Sequence, residues 1–200
     1  MKNFNSDILH TDYAKPDPYG SMAMPVYNTA AFEFESAEAM QAAFSGKTQD
    51  HTYSRISNPT VEHFETQVKT ITGAHSVTAL SSGMAAISNV FLTIAKSGSN
   101  IVTSKHLFGN TYSFFKSTLA AFDVEVRFCD LTNPDEVEKN IDEKTCALFL
   151  EIITNPQLEV ADLKVISKIC QAKKVPLVAD TTIVPFCTFR AVDFGVDIEI

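Results

Sequence analysis

The sequence predicts an α/β fold: a mostly parallel sheet with helices on both faces. Three observations carry this. From about residue 59 onward, short apolar runs alternate with amphipathic stretches of helical period. Short apolar runs such as Cys146–Leu150 fit strands covered on two sides. Helix-starting and helix-ending residues stand between them, among them Asn58, Gly73, Gly98 and Asn133.

Taken in order, residues 1–50 read as an N-terminal arm and 51–200 as a large domain. The arm carries Pro16, Pro18, Gly20 and Pro25, and its one convincing helix is short, capped by Ser36, with Glu38 in the first turn and Gly46 as stop. Pro59 to Thr72 reads as a helix with Val61, Phe64, Val68 and Ile71 on one face, closed by Gly73. Ser76–Leu80 reads as a strand, Gly83–Lys96 as a buried helix, Ile101–Thr103 as a strand and Thr111–Phe122 as a helix. Val124–Phe128 follows as a strand, Pro134–Ile141 as a helix, Cys146–Leu150 as a strand, Ala161–Lys173 as a helix and Val175–Ala179 as a strand. There is no internal repeat and no low-complexity segment.

Composition narrows the function. Net charge is −8 and 45% of the 200 residues are apolar, with a sequence pI of about 5.0. This balance disfavours nucleic acid or an anionic membrane as main partner, so any bound anion must be held by a few placed groups. No apolar run is long enough to span a bilayer and the first residues do not read as a signal peptide, which makes the cytoplasm the expected compartment. The four cysteines lack a Cys-x-x-Cys pair and read as free thiols, and the five histidines have no metal-site spacing, so no metal is expected.

Open α/β sheets bind ligands beyond the carboxyl ends of their strands, so the strand-to-helix turns are the places to search. Leu80-Ser81-Ser82-Gly83-Met84 leads into a helix through two serines and a glycine. It reads either as an ordinary serine cap or as an anion cradle of free N–H groups. It lacks the glycines of a dinucleotide fingerprint and the lysine of a P-loop. His106-Leu107-Phe108-Gly109 offers a ring that could lie over a flat ligand or belong to the core. Glu151 to Asn155 offers a carboxylate and an amide, or an ordinary turn before Pro156. Asp180 ends an apolar strand, as a cap or as the partner of a cationic ring nitrogen. Upstream, Tyr53-Ser54-Arg55-Ile56-Ser57-Asn58-Pro59-Thr60 places a phenol and a guanidinium two residues apart. In extended chain both would face one side, ahead of a helix start at Asn58-Pro59. A ligand that uses an anion cradle, a flat ring, an amide and a carboxylate has a phosphate at one end and a protonated heteroaromatic ring at the other, and pyridoxal phosphate fits.

At these motifs the chain resembles the pyridoxal-phosphate enzymes of cysteine and methionine metabolism: cystathionine synthases and lyases, methionine γ-lyase and O-acetylhomoserine sulfhydrylase. The likeness runs from the arm to the last residue through YSRISNPT, SSGMAA, the Glu151–Asn155 pair and VADTT. It implies a fold-type-I transferase large domain, incomplete here, and pyridoxal 5'-phosphate as cofactor. By resemblance, Gly83 and Met84 give backbone N–H groups to the phosphate with Ser82 nearby, and Phe108 stacks on the ring. Asn155 bonds the ring oxygen, Asp180 keeps the ring nitrogen protonated as the catalytic carboxylate, and Thr182 lies beneath the ring. Tyr53 and Arg55 reach the phosphate of a neighbouring subunit, which implies a homo-oligomer, a dimer of dimers, acting on a small amino-acid substrate.

The expected reaction is γ-replacement on an O-acylated homoserine by sulfide or a thiol. The alternatives are a C–S lyase of the cystathionine or methionine γ-lyase type, and a catalytically inactive fragment that binds a phosphate ligand or a partner. Many lyases of the family have tyrosine where Phe108 stands, and Thr181 stands where asparagine is usual. The Schiff-base lysine of the family follows a strand resembling Val196–Ile200, so the resemblance places it beyond residue 200. It implies that the 200-residue chain alone is inactive.

Overall fold

The computed structural model describes residues 4–13 and 17–200. The chain forms two compact units, Met1–Ala79 and Leu80–Ile200. Of the arm residues singled out above, Pro16 lies outside the described residues.

The first unit holds α1 (Phe4–Leu9), α2 (Ala37–Phe44) and α3 (Pro59–Thr72). Ser36 caps α2 by accepting the Ala39 N–H, and Gly46 takes a left-handed φ of 68° just beyond it. Asn58 caps α3 by accepting the Thr60 N–H, Pro59 occupies the first turn, and Gly73 closes the helix at φ 75°. α1 was not expected; it packs on α3, where Gln67 donates to the Ile8 carbonyl. The face expected to be buried on α3 is partly open, with Val61 and Phe64 exposed.

The second unit is a five-stranded parallel sheet: β1 (Asn100–Ser104), β2 (Glu125–Cys129), β3 (Thr145–Glu151), β4 (Leu177–Asp180) and β5 (Ile198–Glu199), in the order β2-β1-β3-β4-β5. Its helices are α4 (Gly83–Ile94), α5 (Gly109–Ser113), α6 (Pro134–Asn140) and α7 (Leu163–Lys173). Strand alternation feeds two cores, one per face. Val102, Leu148, Leu150, Leu177 and Ala179 pack with α6 and α7 through Val137, Ile166 and Cys170. Ile101, Ala147, Phe149 and Val178 pack on the other face with Ile87 and Phe91 of α4 and with Phe115 and Leu119. There Phe91, Phe115 and Phe149 meet edge-on, with centroids 4.8–5.5 Å apart. Helices on both faces of a parallel sheet is therefore the observed architecture.

Several boundaries differ from the sequence reading. The helix expected from Thr111 starts at Gly109, because the Phe108 N–H is taken up by Glu151 across the sheet. It then widens to a π-type turn over Phe114–Thr118, tightens over Leu119–Phe122 and ends at Asp123, φ 60°. α7 starts at Leu163 rather than Ala161 because Asp162 accepts the N–H groups of Lys164 and Val165. Ser76–Leu80 does not form the expected strand. Among the described residues it pairs with no other strand, and an apolar run without a neighbour has no ladder to join. Ala79 N–H donates instead to Glu65.

The amino ends of the strands are tied by a closed polar network. Thr145 Oγ1 donates to Asn100 Oδ1 (2.7 Å), Asn100 Nδ2 donates to Asp142 Oδ1 (2.7 Å), and Arg127 donates to Asp142 Oδ2 (2.7 Å) and Glu125 (2.8 Å). The Arg127 guanidinium, then Asn100, hold the Asp142 carboxyl down at about 2. A depressed carboxyl pKa gives stability that is present above the unfolded value and is lost as pH falls through the folded one. In denaturant titrations, the stability difference between the native protein and Asp142→Asn should shrink as pH falls from about 4 to about 2. A difference that stays constant across that window would contradict the role of this network.

Candidate active site

The strand order decides where a ligand can enter. From β1 the chain crosses to β2 on one side and later returns to β3 on the other, so the turns after β1 and β3 leave in opposite directions and open a crevice at the carboxyl ends. A cleft of about 230 Å³ lies there, lined by Gly83, Met84, Ile87, Phe108, Thr111, Glu151, Ile153, Asn155, Asp180, Thr182 and Ile183. Six of the nine residues singled out from the sequence are in that lining. Ser82 is not, and Tyr53 and Arg55 belong to the first unit.

At the start of α4, Ser82 is extended and its Oγ accepts the Ala85 N–H at 3.1 Å, while its carbonyl accepts from Ala86. Serine capping is thus present, and it leaves the N–H groups of Gly83 and Met84 without a partner among the described residues. A Cβ built on Gly83 would meet no atom within 4 Å, so the backbone is open to close approach. The cap and the cradle coexist.

Phe108 is 48% exposed, its ring bordering the cleft rather than lying in the core. Its N–H donates to Glu151 Oε1 at 2.7 Å, and the Asn155 N–H donates to Glu151 Oε2 at 3.2 Å. Glu151 is 8% exposed; burial pushes its carboxyl up, the two N–H donors oppose this, and the charge of Asp180 adds to the rise. Glu151 and Asp180 are Cα partners in the β3–β4 register, so two carboxylates stand side by side at the cleft floor. Asp180 Oδ1 accepts both the N–H (2.9 Å) and the hydroxyl (2.6 Å) of Thr182. Its other oxygen has no partner among the described residues. Thr181 turns away: its hydroxyl donates to Glu199 and its N–H to the Ile200 carbonyl, tying β4 to β5.

In the first unit the extended reading of Tyr53–Arg55 is corrected. Tyr53 bridges Ala31, but its carbonyl then accepts the N–H groups of Ile56 (2.8 Å) and Ser57 (3.1 Å), so the segment is a turn. The side chains converge anyway, the Arg55 guanidinium lying 5.0 Å from the Tyr53 ring centroid. Arg55 meets no carboxylate within 4.0 Å among the described residues. Asn58, read as a cap, also donates to the Tyr27 carbonyl and to Ser54 Oγ and fixes this turn.

Sequence reading missed Thr111, Ile183 and the placement of Glu151. The signal for Glu151 was available: like Asp180, it is a carboxylate closing an apolar strand. Among the described residues no group of three or more His, Cys, Asp or Glu is placed to hold a metal ion. No helix among them is long and apolar enough to cross a membrane.

Residues 5–200 match the family model for the Cys/Met metabolism PLP-dependent enzymes. The chain belongs to this family. The chain is 36% identical over 183 residues to an L-methionine γ-lyase of Fusobacterium nucleatum, covering 91% of this chain and 46% of the relative. It is 32% identical over 200 residues to an O-acetyl-L-homoserine sulfhydrylase of Corynebacterium glutamicum, covering 98% and 45%. The chain thus spans about half the length of the curated relatives it matches. Among solved structures, an O-acetylhomoserine sulfhydrylase of Wolinella succinogenes is 53% identical with TM-score 0.70, covering 72% of this chain and 40% of that one. A Campylobacter jejuni structure assigned as an O-acetylhomoserine (thiol)-lyase, which carries a pyridoxyl-lysine phosphate, superposes at TM-score 0.91 and 30% identity, covering 100% and 49%.

The residues present fit the cofactor of this PLP-dependent family. Open N–H groups at Gly83 and Met84 suit a phosphate, the Phe108 face suits a flat ring, and the free oxygen of Asp180 suits a protonated ring nitrogen. Because its Cβ position is empty, Gly83→Ala should fold normally, with a thermal midpoint within about 2 °C of the native value. A drop well beyond that would show that Gly83 serves packing rather than access.

Proposed function

We propose that the complete protein performs γ-replacement on an O-acylated homoserine, with sulfide or a thiol as nucleophile. The observation that carries this is the cleft itself, in which a phosphate-type cradle, an aromatic face and a free carboxylate oxygen line one crevice. The Wolinella sulfhydrylase, at 53% identity, supports the choice of replacement.

Pyridoxal phosphate, when bound, supplies the electron sink for chemistry at the substrate α-carbon. The chain's own residues bind and orient it. The Gly83 and Met84 N–H groups hold the phosphate at the positive end of α4, with Ser82 keeping that helix end capped. Phe108 covers one ring face; having no hydroxyl, it stacks but moves no proton, which favours replacement over elimination. Asp180 would hold a proton at the ring nitrogen, and Thr182 fixes the Asp180 carboxylate by its two bonds. Asn155, in the cleft lining, would offer its amide to the ring oxygen. Met84, Ile87, Ile153 and Ile183 keep water from the ring.

Tyr53 and Arg55 serve the phosphate of a neighbouring subunit, in a homo-oligomer assembled as a dimer of dimers. The guanidinium, free of carboxylates among the described residues and stacked on a phenol, is available for such a contact. A cytoplasmic compartment is part of the same proposal.

Assay of the complete protein with O-acetylhomoserine plus sulfide, against cystathionine and methionine, separates the readings. Replacement should be the faster reaction; faster elimination from methionine would favour the lyase reading, to which the Fusobacterium relative lends weight. Asp180→Asn should lower kcat at least about tenfold, about 1.4 kcal/mol, with a smaller effect on KM; native turnover would make Asp180 structural. Arg55→Ala should weaken cofactor binding by about 1.5–3 kcal/mol in equilibrium dialysis, and unchanged binding would remove Arg55 from the phosphate site.

A further inference from the structure

Phe108 and Asn155 stand on turns that follow different strands, β1 and β3, and run to opposite sides of the sheet. A ring held between a stacking face and a hydrogen-bonding amide needs those turns at a fixed separation. We propose that Glu151 is the positioning residue that sets it: one carboxylate oxygen fastens the Phe108 turn and the other the Asn155 turn. This rests on the reading of the cleft as a pyridoxal-phosphate site and adds a residue to which that reading gave no role.

The geometry supports a strut rather than an ordinary turn cap. A cap within its own turn would engage the Asn155 N–H alone, four residues along. Glu151 Oε1 instead takes its shorter bond, 2.7 Å, from Phe108, 43 residues away in sequence. Phe108 is the N-cap residue of α5, and its N–H finds its acceptor on the neighbouring strand. The carboxylate is 8% exposed and stands beside Asp180 in the β3–β4 register. A buried anion next to another anion is costly unless its oxygens are engaged, and here each engages a different wall of the cleft. A second link between the same turns, His106 Nδ1 to Glu159 Oε2 at 3.2 Å, lies on partly exposed side chains outside the cleft lining.

The test uses 4-deoxypyridoxine 5'-phosphate, which keeps the ring and phosphate but has no aldehyde, so binding depends on no lysine. Affinity and induced circular dichroism of the bound ring are measured for the native protein, Glu151→Gln and Glu151→Asp. Thr145→Val, at the opposite end of β3 and outside the site, is the structural control. Gln keeps the length but turns an N–H₂ toward one N–H; Asp keeps the charge but is too short to reach both turns. Both should bind at least about tenfold more weakly, about 1.4 kcal/mol, and lose the induced signal. Thr145→Val should lower the thermal midpoint and leave both readouts unchanged. If either Glu151 variant keeps native affinity and signal, the strut is overturned; native behaviour in Asp alone would mean that charge, not position, is what Glu151 supplies. Amide exchange in the native protein needs no variant: the Phe108 N–H should be protected, and fast exchange there overturns the proposal too. If the native protein fails to bind the analogue, the pyridoxal-phosphate reading falls first and the strut falls with it. Binding with unaffected variants overturns the strut alone.

Discussion

Parallel pairing of β1 with β2 on one side and β3 on the other is the constraint on which the rest depends. All strands point the same way, so every strand-to-helix turn comes to the same edge. The reversal between β1 and β3 keeps two of those turns apart and leaves a crevice. Buried runs such as Ala147–Leu150 make this placement firm, because slipping a strand by one residue would exchange the two cores.

The two ends of the sheet carry polar groups of opposite character. At the amino ends, Arg127, Asp142, Asn100 and Thr145 satisfy one another in a closed network. At the carboxyl ends the groups are held but not used up. Asp180 has one oxygen engaged by Thr182 and one free, and Gly83 and Met84 keep open N–H groups. A chain of net charge −8 can hold a phosphate on these terms, since the attraction comes from a helix end and a few donors rather than from the overall field.

Much of the second unit was legible because period and caps agreed. In the second unit the strand cores and the Asn133 cap follow from local chemistry alone, as do the Asn58 cap and the Gly73 stop of α3 in the first. What escaped depended on partners distant in sequence. Ser76–Leu80 has the composition of a strand but no neighbour, and α5 begins early, just after a Phe108 N–H held from β3. The same-side reading of Tyr53 and Arg55 took the segment as extended, yet the Tyr53 carbonyl closes a turn that two-residue spacing cannot reveal. In the cleft, Asn155 came from the resemblance, whereas Asp180 could be picked out by its position at a strand end. The bond pattern of Glu151 could not, because it requires knowing that β1 and β3 are neighbours.

The central claim is that the open end of α4 receives the phosphate of a pyridoxal-type ligand. Its most direct test is amide-resolved NMR of Gly83 and Met84 during titration with pyridoxal 5'-phosphate and, separately, with pyridoxal. The account predicts that both amides shift with the phosphorylated compound at concentrations where pyridoxal leaves them unmoved. Shifts confined to other parts of the chain, or equal shifts with both compounds, would contradict it.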